Sequence, residues 1–179
     1  YETIDPPKEW VYMMNLMDEI ITASTFNKLT FENSGVKVPI HVIPHCFDPK
    51  MFNSSIKPLG RYNLTTFLGM GTCKHRKNWE SLIKAWYDAF ETKDSVCLII
   101  KTDKPDELSK AVVSIKSNSP FRTKNTAPIY AERNFRCDFE DIPRIMKKGD
   151  IYISTSLGEG FGLSSLHAMA MGIPVIIPK

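Results

Sequence analysis

The sequence predicts an α/β fold built on a parallel sheet, and two observations carry that reading. Short apolar runs of strand character alternate with helical patterns along the chain, an order that requires crossover helices between parallel strands. Near the end, the strand-like run Asp150 to Ser154 enters a loop with three glycines, and an almost wholly apolar helix candidate and another strand-like run follow. A glycine-rich turn between strand and helix is a ready anion cradle. The glycines let backbone approach a ligand, and the helix N-terminus aims free N–H groups at it.

Each element has its own signal. Trp10, Met13, Met14 and Met17 recur at near-helical spacing over residues 8–17, after Pro6 and Pro7. Asp18 to Ala23 reads as a short strand. Ser24 or Thr25 can cap a helix that runs to about Ser34, with Gly35 as its stop. Val38 to Pro44 reads as a buried strand. Residues 46–60, with Pro49, Pro58 and Gly60, read as a linker. The alternation then restarts. Leu64 to Gly69 is a strand, and Trp79 to Phe90 is an amphipathic helix with Leu82, Ile83, Trp86 and Phe90 on one face. Ser95 to Ile100 is a strand, Asp106 to Ser117 a helix, and residues 118–126 a polar loop. Ala127 to Tyr130 is a short strand, and Phe139 to Lys147 a helix leading to Gly149 and Asp150.

At 179 residues the chain can bury one good core, or one core and part of another. A net charge of +3 is mild and gives no case for nucleic acid or membrane binding. Cys46, Cys73, Cys97 and Cys137 lie far apart, without metal or redox spacing, and read as free thiols of a reducing compartment. No run is long enough to span a bilayer, and no signal peptide is recognisable. The chain opens at Tyr1 and stops at Lys179 directly after an apolar strand. Parallel sheets are normally covered by helices, so a piece of a longer protein is expected.

The run from Leu157 to Val175 carries the most chemistry. It reads Leu-Gly-Glu-Gly-Phe-Gly-Leu-Ser-Ser-Leu-His-Ala-Met-Ala-Met-Gly-Ile-Pro-Val, with Glu159 and His167 its only ionisable groups. It closely resembles the donor-binding signature of the retaining family-four glycosyltransferases of the GT-B fold. That signature is Glu-Gly-Phe-Gly-Leu, a variable spacer, Glu-Ala-Met-Ala and Gly-x-Pro-Val. Every fixed position matches except the second glutamate, which is His167 here. The resemblance extends to Asp18 through Ser24, Gly35 and Val42 to His45, which look like the hinge side of these enzymes. Phe67-Leu68-Gly69 with Arg76-Lys77-Asn78 looks like the first strand and phosphate loop of their C-terminal domain.

The resemblance implies a Rossmann-like, doubly wound C-terminal domain, truncated, preceded by the tail of a second α/β domain. Residues 1–45 would be that tail, 46–60 the linker and 61–179 the incomplete nucleotide-sugar-binding domain. It implies metal-independent transfer of a sugar from a nucleoside diphosphate donor to an acceptor hydroxyl, with retention. No cofactor is expected beyond the donor itself. The acceptor, whether glycan, lipid or protein, is left open, and the N-terminal acceptor domain is nearly absent, so this chain alone is expected to be inactive. The compartment expected is the cytoplasm, with peripheral membrane association through the missing domain. The rival readings are a sugar- or nucleotide-binding pseudoenzyme and another GT-B enzyme, a phosphorylase or an epimerase.

By the same resemblance, backbone amides of Gly160, Phe161, Gly162 and Leu163 hold the diphosphate and Glu159 contacts the sugar. A carboxylate is a good acceptor for sugar hydroxyls, and glycines on both sides leave room for a ligand; the plain alternative is a loop carboxylate. Arg76 and Lys77 are the expected phosphate clamps. Alone, Lys74-His75-Arg76-Lys77 would read as a solvated basic loop, but it follows the first strand, and doubly wound sheets bind ligands at the carboxyl ends of strands. At His167 two readings stand. One is a core residue of a buried helix. The other is a ribose contact, since Leu163 and His167 share a helical face, with weaker donor binding because imidazole accepts fewer bonds than carboxylate. His41 and His45 flank a strand, and nothing in the chain has metal-ligand spacing.

Overall fold

The computed structural model describes residues 4–118, 120–132 and 139–178. Cys137 lies outside them; Cys46, Cys73 and Cys97 are free thiols. The chain divides into two compact units. Residues up to Phe47 together with Gly158–Leu163 form one, and Asp48–Leu157 together with residues from Ser164 form the other.

The first unit contains α1 (Lys8–Met14), β1 (Ile20–Thr22), α2 (Thr25–Asn33) and β2 (Ile40–Val42). The strands pair in parallel, Ile20 opposite Ile40 and Thr22 opposite Val42, with α2 as the crossover. Both ends of α2 follow the sequence signals. The Ser24 hydroxyl accepts the Asn27 N–H at 3.2 Å. At the other end Gly35 is left-handed at φ 98°. The Val36 N–H reaches the Phe31 carbonyl and the Gly35 N–H the Glu32 carbonyl, the Schellman pattern of bonds. Phe31, Val36 and Ile40 make a small core. The run Val38 to Pro44, expected to be buried, is buried only at Ile40. His41 and Ile43 are exposed, and in β1 Ile21 is 69% exposed. Ile21 and His41, opposite each other in the two paired strands, are both exposed, whereas Ile20 and Ile40 pack with the small core.

The second unit is a five-stranded sheet of β3 (Thr65–Met70), β4 (Val96–Lys101), β5 (Ile129–Glu132), β6 (Ile151–Ile153) and β7 (Val175–Ile176). All pairings are parallel, in the order β5-β4-β3-β6-β7. The helices are α3 (Trp79–Ala89), α4 (Pro105–Ser117), α5 (Ile142–Met146) and α6 (Leu163–Ala170). The β4 run shows why the sheet is covered twice: its interior residues Cys97 to Ile100 are all buried. Leu98 and Ile100 pack with Leu82, Ile83 and Trp86 of α3 and Leu108 of α4. Ile99, one residue out of step, packs on the other face with Leu68, Met146, Ala168 and Met171. Alternate side chains point to opposite faces, so an unbroken apolar run needs helices on both sides. This is the doubly wound, Rossmann-like arrangement.

Three expectations need correction. Residues 46–60 are not a bare linker, because Phe52 is 2% exposed and sits in the second core. The Phe52 N–H bonds the Asp48 carbonyl at 2.8 Å, which folds the segment into a turn. The prolines marked breaks correctly, but the apolar pair Met51 and Phe52 outweighed them. The helix expected over Phe139 to Lys147 is a single 3-10 turn, Phe139–Asp141, followed by the short α5. Pro143, which lacks an N–H, is tolerated there because it stands in the first turn. The helix α6 is apolar but not buried all round. Ala168 is buried, while Met169 is 52% exposed, because α6 packs on the sheet by one side only.

Candidate functional site

The strand order places the candidate site. After β3 the chain moves outward through β4 to β5, then returns to lay β6 and β7 on the other side of β3. The connections therefore diverge between β3 and β6, the topological switch point at which open α/β sheets hold ligands outside their carboxyl ends. The basic loop follows β3, and Ser154–Leu157 follows β6.

The basic loop is a built feature. His75–Lys77 form a 3-10 turn, closed by the Lys77 N–H on the Lys74 carbonyl and the Asn78 N–H on the His75 carbonyl, each at 2.9 Å. Asn78 then takes a left-handed conformation, φ 52° and ψ 42°, and turns the chain into α3. A non-glycine residue seldom adopts this conformation, and Asn is among those that tolerate it best. The loop is held from both neighbouring strand ends. On the β4 side, the Asp103 carboxylate accepts the Cys73 N–H at 2.6 Å. That bond is the main reason the Asp103 carboxyl lies below its usual range. On the β6 side, the Leu157 N–H donates to the Arg76 carbonyl at 2.8 Å. The Thr155 hydroxyl lies 3.3 Å from the Lys77 carbonyl and 3.1 Å from that of Asn78.

Lys77 runs back over the end of β3. A Cβ placed on Gly71 would stand 2.9 Å from its Cε, so only glycine leaves the stem in its present place. Trp79 packs similarly on Gly69, its ring 2.9 Å from where a Cβ would be, while its Nε1 donates to the Thr72 carbonyl at 3.1 Å. Arg76 and Lys77 are thus brought together in one rigid turn at the carboxyl end of the central strand.

The other expected site residues fall in two places. Glu159, Gly160, Phe161, Gly162 and Leu163 group with the first unit. There Gly162 is left-handed at φ 82°, and Phe161 meets the His45 ring edge-on at 4.9 Å. Sequence reading gave His45 as a flank of its strand and, by resemblance, as part of a hinge-side run; no local signal points to the ring of Phe161. His167 lies in the second unit and is stacked on Phe52, centroids 3.8 Å apart and planes 11° from parallel. Burial pushes its pKa below the usual 6.5 and favours the neutral ring. Among the described residues, no cluster of His, Cys, Asp and Glu has the makings of a metal site, and no helix is long and apolar enough to cross a membrane.

Residues 64–179 match the family described as Glycosyl transferases group 1. The chain belongs to this family. Over 174 residues it is 25% identical to uncharacterized protein 356 of Sulfolobus islandicus rod-shaped virus 1, covering 94% of this chain and 46% of that protein. The fold matches Anabaena HepE, solved with UDP and glucose, at a TM-score of 0.72 and 22% identity, over 95% of this chain and 47% of that one. It also matches S. aureus TarM, a mutant of which was solved with UDP and other ligands, at a TM-score of 0.69 and 17% identity, over 95% and 31%. The pneumococcal O-GlcNAc transferase GtfA, in complex with UDP and GlcNAc, gives a TM-score of 0.66 at 17% identity, over 98% and 34%. At these identities the structural matches establish the fold alone, the Rossmann-like α/β arrangement of the GT-B architecture. The chain spans less than half the length of each of these relatives.

Proposed function

We propose that this chain is the donor-binding part of a retaining glycosyltransferase that takes a sugar from a nucleoside diphosphate and gives it to an acceptor hydroxyl. The observation that carries the proposal is the rigid cationic turn at the switch point, with Arg76 and Lys77 at the carboxyl end of the central strand and its main chain tied to both neighbouring strand ends. Group 1 membership and the UDP-bound relatives of the same fold support it.

Departure of a nucleoside diphosphate builds negative charge on the phosphate oxygens. Preorganised donors aimed at such charge lower the barrier, because they need no reorganisation as it develops. Arg76 supplies a planar fork for two phosphate oxygens, and Lys77 a point charge. The family resemblance assigns a phosphate role to the amides of Gly160 to Leu163 as well, as uncharged donors. The two cations take the neutralising part that a metal ion plays in other transferases. Glu159 accepts hydroxyl hydrogens of the sugar and fixes its orientation. The acceptor would be positioned by residues beyond this chain, so residues 1–179 alone should not transfer sugar at an appreciable rate.

The test is calorimetry of UDP, GDP and ADP, each against its nucleoside. Arg76→Ala and Lys77→Ala should each weaken the diphosphate by about 1.5–3 kcal/mol, the worth of a charged hydrogen bond, and leave the nucleoside nearly unchanged. Equal losses for both ligands would refute the phosphate role.

A further inference from the structure

The contacts that hold the cationic turn are unequal in kind. Leu157 holds Arg76 through its main-chain N–H, which any residue but proline can supply. Thr155 holds the next two residues through its single hydroxyl proton, shared between the Asn78 carbonyl at 3.1 Å and the Lys77 carbonyl at 3.3 Å, which only a few side chains can do. Resting on the donor-phosphate reading above, we propose that Thr155 is a positioning residue: its hydroxyl, donated across the switch point from the β6 loop, fixes the direction in which the Lys77 side chain leaves the turn.

The geometry supports this at each step. Thr155 stands two residues beyond β6, and Lys77 and Asn78 lie in the loop beyond β3, its immediate neighbour in the sheet. The Asn78 carbonyl already accepts the Leu82 N–H at 3.3 Å, the first turn of α3, so Thr155 binds where the left-handed residue hands the turn over to the helix. A carbonyl oxygen has two lone pairs, so both bonds can be made at once. The Lys77 side chain lies against Gly71. Rotation of the Lys77–Asn78 peptide would lift it from that seat and away from the strand end. Cys73 is gripped independently by Asp103 and Arg76 by Leu157, so losing the hydroxyl loosens the Lys77–Asn78 peptide without unfolding the rest of the loop. Small displacements of a charged donor matter when the ligand is a fixed array of phosphate oxygens.

The experiment titrates this chain and its variants with UDP, inorganic pyrophosphate and uridine. Thr155→Val keeps the shape of the side chain and removes the hydroxyl. It should weaken UDP and pyrophosphate about five-fold, the equivalent of one net hydrogen bond, with uridine affinity within two-fold (roughly its measurement error) of the original. Thr155→Ser should recover most of the loss, and Thr155→Ala should repeat the loss if the valine variant folds poorly. Unchanged phosphate binding in Thr155→Val, equal losses on all three ligands, or no recovery in Thr155→Ser would overturn the proposal. Arg76→Ala run alongside separates the two claims. If Arg76→Ala weakens pyrophosphate and Thr155→Val does not, only the positioning role falls; if neither does, the phosphate reading falls with it.

Discussion

The ring of His167 lies flat on that of Phe52, 3.8 Å between centroids and 11° from parallel. One comes from the position where the family signature has glutamate, the other from a segment that reads as a linker. Each explains the other. Phe52 needs a flat apolar neighbour to complete its burial, and a neutral imidazole provides one where a carboxylate would have to be desolvated.

That pairing gives stability a pH dependence. Burial lowers the folded-state pKa of His167 below 6.5. The unfolded chain then binds the proton more readily, so stability is complete above about 6.5 and falls as the pH drops toward the lowered value. Chemical denaturation of this chain between pH 7.5 and 5 should show the decline. His167→Phe keeps a stacked ring without a titrating group and should flatten it across that window. An unchanged slope would assign the effect to other groups.

The ion pair between Lys148 and Glu132 should matter more than any other described here. Its atoms are 2.6 Å apart, with both side chains 11% exposed. It joins the end of β5 to the turn before β6, strands separated by two others in the sheet. Lys148→Met leaves a carboxylate buried without its partner, and removing one member of such a pair costs about 3–5 kcal/mol. Lys148→Met with Glu132→Leu should recover much of that, since neither charge remains to be desolvated. Equilibrium unfolding of the two variants gives the comparison. A double variant no more stable than the single one would mean that the side chains matter through packing alone.

Most of this architecture was legible because local and long-range signals agree. Ser24 and Gly35 bracket α2 as their chemistry requires, and the unbroken apolar run of β4 announces cover on both faces. What stayed hidden depends on distant partners. Phe52 looks like part of a linker until Leu68, Tyr152 and Met171 surround it. Helix α6 looks buried because its composition is apolar, yet composition does not say how many sides are covered. Among the candidate site residues, the basic turn was readable from its position after β3. The hydroxyl of Thr155 was not, because a lone threonine carries no spacing signal.

Gly69 offers a packing test of the same region. It has an ordinary strand conformation, and a methyl group there would come within 2.9 Å of the Trp79 ring and 3.4 Å of the Ile153 carbonyl. The ring is tethered by its bond to Thr72, so it cannot swing aside freely. Gly69→Ala should cost about 1–3 kcal/mol, as overpacking does, and should weaken UDP as well, because Trp79 begins the helix that the basic turn leads into. Loss of stability with UDP affinity intact would show that the turn does not depend on the Trp79 seat.

His167→Glu restores the family signature, so the two readings of this position part most sharply there. As a ribose ligand, a carboxylate would accept both hydroxyls and tighten UDP by on the order of 1 kcal/mol, a gain lost again with 2′-deoxyuridine diphosphate. As a packing residue, it would lose the stacked ring and bring a charge against the face of Phe52, where the π-cloud is negative. The seat already disfavours charge, as the lowered pKa of the imidazole shows. The stacking leads us to expect the second result: His167→Glu loses a few kcal/mol of stability, lowers the melting temperature and binds UDP no better than the original chain. The loss should shrink as the pH is lowered toward 5, where the new carboxyl can take up a proton and shed the charge. Melting temperature and UDP affinity measured on the same variant decide between the readings, and a tighter complex with unchanged melting would establish the ribose role.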